Sequence, residues 1–117
     1  DKDRRALAGL SMGGGHTINA SITYPDTFGY IGIFSSGIFD ANADMAEMEQ
    51  KFTALKNNGV NKYWVACGKD DFVMESNKRL LRVLDKTGLE HEYFENEGGH
   101  TWTNWRTYLS MFAPMLF

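Results

Sequence analysis

The chain has a single cysteine, Cys67, among its 117 residues. One thiol excludes an internal disulfide framework and a cysteine-rich metal site, and it leaves the redox compartment undefined. The three histidines and Cys67 show no metal-ligand spacing, so no metal is expected. Proline is nearly as scarce, with Pro25 and Pro114 alone, and each should stop or limit a helix. No charge of one sign predominates. Twelve Lys and Arg stand against fifteen Asp and Glu, for a formal net charge of −3. That balance offers no electrostatic case for nucleic acid or an anionic membrane. No apolar run is long enough to span a bilayer. Sequence repeats, linkers and low-complexity segments are missing too. The first residues, Asp1-Lys2-Asp3-Arg4-Arg5, contain neither an initiator methionine nor a signal peptide, so a piece of a longer protein is expected. The length allows at most one small domain, and 43% hydrophobic content is enough for a packed core.

What the chain does have is glycine, concentrated at Gly9-Leu10-Ser11-Met12-Gly13-Gly14-Gly15. Gly9, Ser11 and Gly13 satisfy Gly-x-Ser-x-Gly, the pattern of a nucleophile elbow. In such a turn a strand ends, one serine sits in a strained conformation, and a helix begins at once. Glycines two positions either side are expected because a side chain there would meet the neighbouring strand or helix. The turn should also aim the Met12 backbone N–H, at the new helix N-terminus, toward developing negative charge. The bland reading is a glycine-rich strand-to-helix turn. Two phosphate-binding readings fail on spacing. A Walker loop counted from Gly9 needs Lys and Ser/Thr where Gly15 and His16 stand. A dinucleotide fingerprint from Gly13 needs a small residue at Ile18.

Strand and helix patterns alternate along the rest of the chain. Ala6-Leu7-Ala8-Gly9-Leu10 reads as a buried strand whose small residues suit a crowded central position. A helix follows from Gly13 to about Tyr24, with Ile18 and Ile22 on one face. Tyr30–Phe34 is a second buried strand. Asp40 or Asn42 is a candidate cap for a helix with a core stripe of Met45, Met48, Phe52 and Leu55. Tyr63–Cys67 is the third strand. The next helix runs from about Met74 to Thr87, with Asn77, Leu80, Leu81 and Leu84 in register, and ends at Gly88. Glu90–Glu95 is a more polar fourth strand, as at a sheet edge. Thr101 can cap a last helix with Trp102, Trp105, Leu109 and Phe112 on one face. Four strands alternating with helices imply an α/β fold with parallel strands and right-handed crossovers.

In such sheets ligands bind at the carboxyl ends of the strands. Ser11, the pair Asp70 and Asp71, and His100 all lie just after a predicted strand. A serine hydroxyl is a weak nucleophile until a base takes its proton, and that base needs a third group to fix its tautomer. The order Ser, Asp, His is that of α/β-hydrolases. Gly98-Gly99 before His100 would let its loop reach the serine. Either aspartate could orient the histidine, the other capping a helix or facing water. His16, inside a helix, and His91, in an edge strand, are not expected to be catalytic.

Gly9-Leu10-Ser11-Met12-Gly13-Gly14, Pro25-Asp26-x-Phe28, Phe34-Ser35-Ser36-Gly37, Gly68-x-x-Asp71 and Gly98-Gly99-His100-x-Trp102 together resemble the esterase D / carbohydrate esterase family 1 group of α/β-hydrolases. The feruloyl and acetyl-xylan esterase domains of bacterial xylanases are the nearest in pattern. The resemblance implies Ser11 as nucleophile, His100 as general base then acid, Asp71 as orienting acid and the Met12 N–H as an oxyanion donor. Trp102 would line the acyl or sugar pocket, or else belong to the core stripe of its helix. Thr101 departs from the acidic or amide residue often found directly after the histidine. No cofactor is implied. The implied substrate is a feruloyl or acetyl ester on plant cell-wall polysaccharide, and the implied location is secreted or periplasmic. An S-formylglutathione hydrolase-like thioesterase and a non-catalytic carbohydrate-binding or structural relative are the alternatives.

The resemblance also implies that residues 1–117 are one partial domain, the C-terminal part of an α/β-hydrolase from the nucleophile strand to the last helix. The strands before the nucleophile strand, and the second oxyanion donor they carry, are then expected elsewhere. Three connecting helices should share one sheet face, and only the last can cover the other. The first strand should have an unpaired edge, so the missing half of the domain or a second copy is expected to cover the open surface.

Overall fold

The computed structural model describes all 117 residues. Four parallel strands form one sheet in sequential order: β1 Ala6–Leu10, β2 Tyr30–Phe34, β3 Lys62–Gly68 and β4 Glu92–Asn96. They alternate with α1 Met12–Thr23, α2 Met45–Asn58, α3 Met74–Thr87 and α4 Trp102–Phe112. Register is continuous across the ladder: Leu10 pairs with Phe34, and Phe34 with Ala66. The carboxyl ends of the first three strands therefore align along one rim.

The period of two along β3 separates two cores. Tyr63 and Val65 point into one cluster, with Ile31 and Ile33 of β2 and Ile18, Phe52, Leu55, Leu80 and Leu84 from α1, α2 and α3. Trp64 and Ala66 point the other way, into a smaller cluster with Phe34, Tyr108 and Phe112. That second cluster is largely aromatic. Trp64 and Phe112 stack with centroids 5.9 Å apart, and Phe34 meets Trp64 edge-on at 5.7 Å. Phe112 reaches the sheet because Gly32 has no side chain; a Cβ there would stand 2.9 Å from the ring.

Several expectations change. β1 is an edge strand, as the resemblance implies, paired with β2 alone; the buried, central place that its composition suggests is not filled here, since none of its residues is buried and Ala8 is exposed. Asp44, not Asp40 or Asn42, caps α2, its carboxylate accepting from the Glu47 N–H at 3.1 Å. Asp40 instead accepts from the Asn42 N–H at 2.9 Å, closing a turn. On α3 the buried set is Asn77, Leu80, Val83 and Leu84, so Val83 takes the place expected for Leu81. On α4 the buried residues are Asn104, Tyr108 and Phe112, spaced by four. Trp102 and Leu109 are exposed. The helix lies over β2 and β3, and its other apolar edge overhangs β1.

Candidate active site

Ser11 occupies the step between β1 and α1 with φ 54° and ψ −124°, a positive φ that a residue with a Cβ rarely adopts. The surrounding backbone holds it there. Its N–H donates to the Phe34 carbonyl at 3.0 Å, continuing the sheet, while its carbonyl accepts the first bonds of α1 from Gly14 and Gly15. The buried Ser36 hydroxyl donates to the same carbonyl at 2.6 Å. Of the elbow glycines, Gly9 is needed for space: a Cβ there would lie 2.2 Å from the Gly13 carbonyl oxygen. Gly13 is not, since nothing lies within 4 Å of its Cβ position. The crowded position is Gly14, where a Cβ would stand 2.4 Å from that of Ser36.

A serine before a helix ordinarily turns its hydroxyl back to cap the first turn. Ser11 does not; no cap bond is made, and its Oγ lies 2.9 Å from His100 Nε2. His100 Nδ1 is 3.1 Å from both carboxylate oxygens of Asp71. A carboxylate only accepts, so Nδ1 carries the proton and donates. In neutral imidazole Nε2 is then the acceptor, and the Ser11 hydroxyl donates to it. The Asp71 side chain is fully buried and also accepts from the Val73 N–H at 3.0 Å. Asp70 is exposed. The structure thus brings Ser11, His100 and Asp71 into one line, and Asp70 stays outside it.

Two loops are stitched together to make this line. The Lys69 N–H donates to the Asn96 carbonyl at 2.8 Å, and the Asp70 N–H to the Gly98 carbonyl at 2.9 Å. The approach needs Gly68, where a Cβ would meet the Gly98 oxygen at 2.3 Å, and Gly98 itself, with φ 92°. Asn104, buried in α4, shapes the histidine loop: its amide donates to the Gly99 carbonyl at 3.0 Å, and its own oxygen accepts from Asn96 at 3.0 Å. Sequence reasoning missed Asn104; a polar residue three after the helix cap, on the sheet-facing side, is the signal it left. Thr101 caps α4 as expected.

Met12 is the first residue of α1, whose N–H has no partner within the helix. Trp102 does not join the core. It lines an apolar groove of about 240 Å³ with Ala8, Gly9, Leu10, Phe34, Trp105 and Leu109. A larger cavity of about 380 Å³ lies between α1 and the loop after β2, among Gly15, Ile18, Gly37 and Phe39. Phe72 is 79% exposed and leans on the imidazole, 4.6 Å between ring centroids. Below Asp71, burial and the negative charges of Asp71 and Glu95 push the Cys67 thiol from 9.0 up to about 12. The thiol is fully buried and held toward its protonated form. His91 lies near the opposite sheet edge, 2.8 Å from the Leu89 carbonyl, and His16 is within α1. No group of three metal-ligating side chains is present.

The family model Esterase matches residues 1–114. The chain belongs to the esterase family. An endo-1,4-beta-xylanase/feruloyl esterase of Xylanibacter ruminicola is 34% identical over 119 residues, covering all of this chain and 15% of that protein. An acetyl esterase of Caldicellulosiruptor saccharolyticus is 31% identical over 87 residues, covering 74% of this chain and 31% of the relative. Among solved structures, an S-formylglutathione hydrolase of Staphylococcus aureus superposes with a TM-score of 0.78 at 23% identity, over 99% of this chain and 52% of its own. This esterase-family chain therefore has the α/β-hydrolase fold from the elbow onward. It spans less than a third of the length of these two curated relatives.

Proposed function

We propose that the chain supplies the nucleophile, base and orienting acid of a serine carboxylic-ester hydrolase. The observation that carries this reading is the Ser11 hydroxyl, turned from its capping role toward His100 Nε2 at 2.9 Å. As Ser11 Oγ attacks the ester carbonyl, its proton passes to His100 Nε2. The imidazolium is held by the buried Asp71 carboxylate. The carbonyl oxygen gains the negative charge and meets the Met12 N–H at the α1 N-terminus. The tetrahedral species collapses, the alcohol leaves with the proton from Nε2, and an acyl-enzyme remains on Ser11. Water, deprotonated by the same nitrogen, releases the acid and restores the hydroxyl.

The substrate class we favour is a feruloyl or acetyl ester on xylan. The two curated relatives are named for feruloyl and acetyl esterases. Exposed Phe72 and Trp102 beside the histidine suit a flat acyl group or a sugar face. A polymeric substrate of this kind calls for a secreted or periplasmic enzyme. The groove over β1 is covered in the working enzyme by the rest of a larger hydrolase domain, a reading supported by the 52% coverage of the solved relative. That part would bring the second oxyanion donor, without which transition-state stabilisation falls by roughly 3 kcal/mol.

The test is labelling of the intact protein by a fluorophosphonate, followed by turnover of methyl ferulate, acetylated xylan and a glutathione thioester. Label at Ser11 with ferulate or acetate release is expected. Preference for the thioester would move the substrate to the S-formylglutathione class. Xylan binding without label would make this a binding relative. For the groove, the chain alone should be weakly active and prone to associate; a soluble, cooperative monomer on size exclusion would overturn that part.

A further inference from the structure

Hydrogen bonding holds His100 at its two ring nitrogens, Nδ1 shared between both Asp71 oxygens and Nε2 bonded to Ser11. Two points define an axis, and rocking of the imidazole about that axis is left free by them. Its flanks are closed by aromatic rings. Phe72 lies on one side, 4.6 Å away and tilted by 52°, and Trp105 stands edge-on at 4.9 Å and 90°. Phe72 is mostly in solvent. Trp105 is fixed: its Nε1–H donates to the Ser35 hydroxyl at 3.0 Å.

Ser35 is unusual for its place. It is fully buried, with φ 50°, in the region where glycine is at ease and a Cβ costs about 1 kcal/mol or more. Its N–H donates to the Ala66 carbonyl at 2.8 Å, so its position is set by the sheet. A serine held in a glycine conformation points to a use for its hydroxyl. That hydroxyl accepts from Trp105. Ser11 and Ser35 are thus a matched pair: two strained serines at the ends of adjacent strands, one facing the imidazole directly and one through an indole.

Resting on the triad reading above, we propose that Trp105 is a positioning residue for His100, anchored to the sheet by the Ser35 hydroxyl. The indole restrains the rocking that this hydrogen bonding permits, and so holds Nε2 on the serine. Helix α4 alone would not do this, since a free indole could swing toward the groove over β1.

The experiment compares Ser35→Gly, Trp105→Phe and the double variant of the intact protein, by NMR of the His100 ring and indole N–H signals, by fluorophosphonate labelling rate and by melting temperature. Ser35→Gly should relieve backbone strain, so its melting temperature should hold or rise. The Trp105 indole N–H should nonetheless lose its protection from exchange, and His100 ring mobility should increase. Labelling should slow about tenfold in each single variant and no further in the double. In the intact enzyme the loss should fall on kcat and leave KM unchanged. Unmoved His100 ring signals in both single variants would overturn the proposal, as would a slower rate that merely tracks a lower melting temperature. A wild-type intact protein that fails to label would remove the ester-hydrolase reading, while the ring signals would still decide whether Trp105 positions His100.

Discussion

The sheet face under α1, α2 and α3 buries thirteen apolar residues in one cluster, and the face under α4 buries five. The first is mostly aliphatic and closed by three helices. The second is aromatic, covered by one helix, and runs out into a groove beside β1. Chemistry follows the same division. His100 sits on the turn into α4, and the aromatic and amide side chains that steady its loop, Trp105 and Asn104, belong to that same helix. The closed face holds most of the buried apolar side chains, and the partly filled face carries the helix that steadies the histidine loop. Activity and stability should therefore respond to different substitutions.

The largest effect should come from Ser11→Ala, which is expected to abolish fluorophosphonate labelling and lower ester turnover in the intact protein by about 10³-fold or more, with the melting temperature unchanged. A loss of stability instead would merge the two roles. Next, Phe52→Ala empties the centre of the closed face and should cost about 3–5 kcal/mol in urea unfolding. A smaller value would mean that α2 packs more loosely than its burial indicates.

Alkaline pH should unsettle both faces. Burial raises the thiol of Cys67 and the phenols of Tyr63, Tyr93 and Tyr108 above their ordinary values, with Glu95 adding to the effect at Cys67 and Tyr93. The unfolded chain releases these protons first. It therefore binds fewer protons than the folded one, and unfolding free energy should fall as pH rises past about 9, first through the thiol and then through the phenols. Denaturation curves at pH 8 and pH 10.5 measure this. The smallest effect belongs to the open face: Leu109→Asn should change stability by about 0.5 kcal/mol or less, because Leu109 is 55% exposed. A large loss would show that the groove is closed in solution.

The element order and the strand partners were legible because each strand is a short apolar run and each helix has a repeat near four. The rim was legible for the same reason, since parallel strands place their following loops together. Periodicity was silent on which sheet surface an apolar helix face would meet. It assigned Trp102 and Leu109 to the core of α4, whereas the buried line is Asn104, Tyr108 and Phe112. Two of those three are polar and are buried because they are bonded, Tyr108 to Asn96 at 2.7 Å and Asn104 to the histidine loop. The choice between Asp70 and Asp71 was likewise invisible to spacing alone. It is made by Gly68 and Gly98, whose contact swings the second aspartate under the imidazole. Ser35 and Ser36 read as ordinary loop residues because their work lies in backbone angles and distant partners.

The hydroxyl of Ser11 and the nitrogen facing it are 89 residues apart in the chain. A nascent polypeptide lengthens at about 5–20 residues per second, so the serine emerges roughly 5 to 20 seconds before its partner is made. Throughout that interval the alcohol is as unreactive as any other serine. On the proposed reading, a half-built copy cleaves nothing until the loop carrying His100 has closed on the serine.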